Sequence, residues 1–154
     1  MTHEEAIKPV DSAIWEMSEA FIDMPDADVW RRPHAKLLSF GELAAHVAYS
    51  EAEYLLEGFA SPLIDRNLRY YPYTVEQPVT LDMGAEALYA EVKRIHEAGK
   101  AAFLEAKPDL AANHPGRPDW TWGYTLEYMA FHAAYHTGQM YSVRHLLGHD
   151  TADN

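Results

Sequence analysis

At 154 residues, 48% hydrophobic and 23% charged, the chain has the length and make-up of one globular domain, and no apolar run approaches the roughly 20 residues that span a bilayer. A formal charge of −12 repels the phosphate backbone that nucleic-acid binders must attract, which sets DNA and RNA aside as partners. The absence of cysteine excludes disulfides, thiolate ligands and a cysteine nucleophile, so any metal must be held by imidazole and carboxylate, and any thiol chemistry needs a thiol from outside.

The start, Met1 to Glu5, lacks the basic end and apolar stretch of a signal peptide, and a cytoplasmic location is expected. Ile7, Val10, Ile14, Met17, Phe21 and Met24 then step by three and four, the mark of a first helix with one buried face. Thr2 followed by Glu5 fits a capping box, yet Pro9 would interrupt a helix begun there, so a start nearer Lys8 fits equally well. Pro25 and the acidic Asp26-Ala27-Asp28 end the element. The segment to Leu38, with Trp30, Arg31, Arg32, Pro33 and His34, reads as a loop.

Ser39-Phe40-Gly41-Glu42 is a second capping box, and the helix it opens runs to about Glu57, with Gly58 as its stop. Its inward stripe is Phe40, Leu43, Val47 and Tyr54, with His46 on the edge. Residues 60 to 80 carry Pro62, Pro72, Pro78, Tyr70, Tyr71 and Tyr73, a long connection of the kind that is functional or crosses between helices. A third helix spans about Leu81 to Ala106, with Leu88, Val92, Ile95, Gly99 and Phe103 inward and His96 beside them, lacking a local partner. Lys107-Pro108-Asp109 ends it, Asn113 to Pro118 reads as loop, and Trp120 to Gly123 lead into a fourth helix that ends at Gly148. Four amphipathic helices and no convincing strand predict an all-α four-helix bundle, a single domain over residues 1–150 with a frayed end at 151–154.

Within the fourth helix, His132 and His136 lie four residues apart and therefore on one face, which is metal-chelate spacing. The apolar positions Leu126, Met129, Ala133, Met140, Val143 and Leu147 place His136 on the buried stripe and His132 beside it. A buried imidazole needs hydrogen-bond partners or a metal to offset its desolvation. The same pair also fits two core histidines bonded to neighbours. The segment is not a zincin motif, which would need Glu at position 133, where this chain has Ala.

Taken in order, the Trp-Arg-Arg-Pro loop, Ser39-Phe40-Gly41-Glu42-Leu43-Ala44-Ala45-His46, the long connection and His132-Ala-Ala-Tyr-His136-Thr-Gly-Gln139 resemble the DinB/YfiT-like superfamily over nearly the whole chain. The resemblance implies an up-down-down-up bundle whose long crossover joins helices two and three, and a divalent metal held by His46, His132 and His136. It also implies a homodimer acting on a small-molecule substrate, with neither nucleic acid nor membrane as partner. One departure is Thr137, where many relatives carry Arg. Three neutral imidazoles leave an open coordination position, the arrangement of a catalytic metal that lowers the pKa of bound water to about 7 or holds a thiol as thiolate. Zinc or nickel is expected first, and imidazole also suits iron and manganese.

Relatives of this kind include S-transferases and isomerases that use a low-molecular-weight thiol cosubstrate, and hydrolases. The other class the sequence allows is a metal- or ligand-binding bundle without turnover. Glu42, Ser50 and Glu53 lie four before, four after and seven after His46, on its own helix face; Glu53 is the choice for an outer carboxylate, since the capping box already employs Glu42. Trp30, Arg31 and Arg32, with Tyr70, Tyr71 and Tyr73, are expected to roof the open position or, alternatively, to pack the bundle end or a dimer interface with the arginines paired to nearby carboxylates.

Overall fold

The computed structural model describes residues 1–64 and 77–151, and is mostly helical. The helices are α1 (His3–Phe21), α2 (Phe40–Leu55), α3 (Ala85–Ala106) and α4 (Trp122–Leu146); the described residues between them include short 3-10 turns and one small hairpin, strands β1 (Asn113–His114) and β2 (Arg117–Thr121). Tyr70, Tyr71 and Tyr73, and the end at 152–154, lie outside the described residues.

Both capping boxes form. Thr2 accepts from the Glu5 amide and Glu5 reaches back to Thr2, so α1 starts at His3 despite Pro9 in its second turn. Pro9 sits on the exposed side, where water can serve the carbonyl that loses its helical donor. The same reciprocal pair, Ser39 and Glu42, opens α2. Helix α1 stops at Phe21; Asp23 turns the chain at φ 56°, a conformation Asp tolerates, and carries Met24 back into the core outside the helix.

Helix α3 begins at Ala85, four residues later than the periodicity suggests. Gly84 is its N-cap and offers no side-chain oxygen, so the Asp26 carboxylate from the turn after α1 accepts the Ala85 amide at 2.8 Å. A side chain at Gly84 would collide with that carboxylate. Gly41 serves a similar close approach. The Trp30 ring lies across it, while Trp30 Nε1 donates to the Met83 carbonyl at 2.7 Å.

The hairpin corrects the expectation of no strand. Pro115-Gly116 supplies the turn, and His114 is buried beneath it, its ring nitrogen bonded to the Tyr54 carbonyl at 2.9 Å and its face 4.3 Å from Trp122. A two-residue strand carries no alternating pattern long enough to be read in advance.

The helices close a ring around one core: α1 packs on α4 and α3, and α2 packs on α3 and α4. Phe40, Met17, Leu88, Ile95, Leu126 and Met140 are fully buried in it. Arg144, also buried, donates to the carbonyls of Ala20 and Ile22 and so caps the end of α1 from α4. Among the described residues, no helix is long and apolar enough to cross a membrane.

Candidate metal centre

Helix α2 presents His46, and α4 presents His132 and His136 one turn apart, across the α2–α4 interface. The Nε2 atom of His132 lies 2.9 Å from Nε2 of His46 and 3.1 Å from Nε2 of His136. A tetrahedral ion about 2.0–2.1 Å from each nitrogen sets such atoms about 3.3 Å apart, so two of the three pairs already lie close to that spacing. All three ligand atoms fall within 4.8 Å of one another.

Burial is what keeps these rings neutral and not cationic. It pushes His46 down to about 4, helped by the nearby His136. His132, the deepest, falls to about 3 through burial together with His136 and His46. Burial also lowers His136, against the hydrogen bond to Gln139. Three imidazoles neutral at pH 7 each have a lone pair to offer an ion without a net loss of protons.

The orientation of His136 is fixed locally. Its Nδ1–H donates to Gln139 Oε1 at 2.6 Å, which leaves the Nε2 lone pair facing the cluster. Gln139 in turn donates to the Tyr135 hydroxyl at 3.3 Å. Tyr128 stacks on His132 with centroids 5.5 Å apart, and the edge of Tyr135 meets His136 at 5.1 Å. Two aromatic rings thus wall the outer side of the ligand pair.

The two histidines of α4 exchange the places expected of them. His132 is buried, whereas His136 is half-buried, and the stripe continues through Thr137. After Ala133 the core can be met by a step of three or of four, and Thr137 takes the step of four because its hydroxyl bonds the Ala133 carbonyl at 2.8 Å and needs no further partner. The position where many relatives carry Arg is therefore core here.

The model of the DinB superfamily matches residues 11–140. The chain belongs to the DinB superfamily. Comparison with curated proteins and with solved structures finds no match.

Of the other residues singled out in this DinB-superfamily chain, Glu53 is exposed, accepts from the Tyr49 hydroxyl at 2.6 Å and stands outside the cluster of close ligand atoms. Glu42 is wholly buried, taken up by its cap, by the Val79 amide and by a two-pronged pair with Arg32. Arg31 pairs with Asp28. Trp30 and Arg32 thus pack at the end of the bundle, and Arg31 pairs with a neighbour in its own loop, the arrangement of the alternative to a roof. Gln139 belonged to the motif but its task follows only from its place three residues after His136. Tyr128 stands one turn before His132 on the same helix, so its place was legible though unread, whereas Glu51 and the environment of His96 were not legible, because their partners come from other helices.

Proposed function

We propose that this DinB-superfamily protein is a metal-dependent enzyme in which His46, His132 and His136 hold a divalent ion, zinc or nickel first, that activates a thiol or a water for transfer, isomerisation or hydrolysis. The observation that carries the reading is the convergence of three neutral Nε2 atoms at 2.9 and 3.1 Å. The donor set fits such an ion: three imidazoles, no thiolate, and a fourth position left to an incoming ligand. When bound, the ion would supply Lewis acidity and a lowered pKa for the thiol or water. The protein's own part is to keep the rings neutral by burial, to hold His136 through Gln139, and to exclude bulk water on one side with Tyr128 and Tyr135. Glu53, steadied by Tyr49, is our choice for the carboxylate that takes the substrate's proton at the rim.

The finer architecture belongs to the same reading. An up-down-down-up order, in which α2 and α3 run parallel and a crossover joins them, is supported by Arg144 meeting the end of α1 and by Asp26 capping the start of α3. A homodimer is supported by Phe131 and Tyr135, 63% and 53% exposed on α4, a larger apolar surface than a solvated helix face needs.

The test is elemental analysis of untagged protein followed by assay of electrophiles with low-molecular-weight thiols. About one equivalent of metal and metal-dependent turnover are expected. Metal below half an equivalent after incubation with zinc or nickel would remove the assignment, and tight metal without turnover would leave a binding protein.

A further inference from the structure

A second buried polar cluster lies beside the first. Glu51 on α2 is 3% exposed, and its Oε1 accepts from Nδ1–H of His96 on α3 at 2.6 Å. The other nitrogen of His96 donates to Asp11 Oδ1 on α1 at 3.0 Å, and Lys100 holds the second oxygen of Asp11 at 2.8 Å. With both ring nitrogens donating to carboxylates, His96 is an imidazolium; burial disfavours that charge, and Glu51 and Asp11 outweigh it. Glu51 is thereby fixed in one position by three helices.

That position leaves something undone. Glu51 Oε2 is buried and among the described residues has no hydrogen-bond partner, a costly state for a carboxylate oxygen. Glu51 lines a small cavity of about 10 Å³, the lower bound for a single water, whose polar lining is Ser50, Glu51 and His132. His132 turns Nε2 to the other two imidazoles, and among the described residues no hydrogen bond reaches its Nδ1. The residue with a buried oxygen that needs a donor and the residue with a ring nitrogen that needs a partner thus line one water-sized space.

We propose that this cavity holds one ordered water linking Glu51 Oε2 to Nδ1 of His132, which makes Glu51 a positioning residue for that ligand. The inference rests on the reading of the three histidines as a metal site. A water suits the task better than direct contact. With His132 bound to metal through Nε2, its Nδ1–H donates to the water, which donates to Glu51. In the metal-free protein, where Nε2 can carry the proton, the water donates to Nδ1 and Glu51 alike. The carboxylate then fixes the ring's orientation and raises its basicity as a ligand, as outer-shell carboxylates do for metal-bound histidines.

The test uses the full untagged chain, zinc as probe, chelator competition for affinity and imidazole ¹⁵N spectra for the rings. Glu51→Gln should weaken zinc about 10–100-fold and move the His132 Nδ1 resonance, leaving those of His46 and His136 in place. Val47→Ile, whose added methyl fills the cavity while keeping Glu51 and His96, should do the same, so the inference stays testable if Glu51→Gln fails to fold. Wild-type zinc affinity in Val47→Ile, or an unmoved His132 resonance in either variant, overturns the role of Glu51 while the metal site stands. If the wild type itself takes no zinc, the metal reading fails, and this inference falls with it.

Discussion

Nδ1 of His136 and Oε1 of Gln139 lie 2.6 Å apart on successive turns of α4, so a residue that touches no other ligand decides which nitrogen His136 offers to the cluster. Gln139→Leu removes the acceptor at nearly constant volume. Zinc affinity by chelator competition should fall about 10–100-fold, with helical circular dichroism unchanged. Gln139→Glu, which still accepts, should retain most of the affinity.

The three ligands should act as a set. His46→Ala, His132→Ala and His136→Ala are each expected to lose more affinity than the roughly 10–100-fold that follows from losing an outer partner. His114→Gln changes a histidine that supports the hairpin and Tyr54, and metal content should stay at the wild-type level, with the melting temperature alone reduced. Metal retained by His46→Ala would place α2 outside the site.

Acid should destabilise the metal-free protein through the ligands. The folded values of His46 and His132, about 4 and about 3, lie below the ordinary 6.5, so between these limits the unfolded chain binds more protons. Their contribution is fully present above about pH 6.5 and is lost as pH falls through 4 and 3. His96, raised, has the opposite sign: its contribution is full below the ordinary value and fades as pH climbs through the folded one. Urea melts in chelator at pH 5 and 7 should therefore show a shallower pH dependence for His132→Asn than for the wild type.

Metal should stabilise the fold without being required for it, because four helices bury a core of their own. Linkage gives about 4 kcal/mol at a free zinc concentration a thousandfold above Kd. A chelator should lower Tm and leave the helical signal at 25 °C. Loss of that signal would make the ion structural.

The Arg32–Glu42 pair should matter to stability alone. Both side chains are buried, at 8% and 0% exposure, and removing one partner of such a pair strands the other at a cost of about 3–5 kcal/mol. Arg32→Ala should show that loss in urea unfolding and bind zinc like the wild type. A higher KM with unchanged stability would restore Arg32 to the substrate path.

Much of this protein is written in local spacing. Periods of three and four place the helices, Ser39 with Glu42 opens α2, and His132 with His136 must share a face wherever the helix lies, because these relations depend only on residues a turn or two apart. His46 is different. Nothing near it in the chain distinguishes a ligand from a half-buried histidine, and the motif order of a family was needed to single it out; its Nε2 meets that of His132, 86 residues away, only because α2 packs on α4. The same holds for Asp26 capping α3 from 59 residues off, for Arg32 finding its buried partner in Glu42, and for His96, whose partners Glu51 and Asp11 come from two other helices. Whether a histidine becomes a ligand, a cation or a hairpin support is set by which charges and how little water surround it, and those are properties of packing between helices.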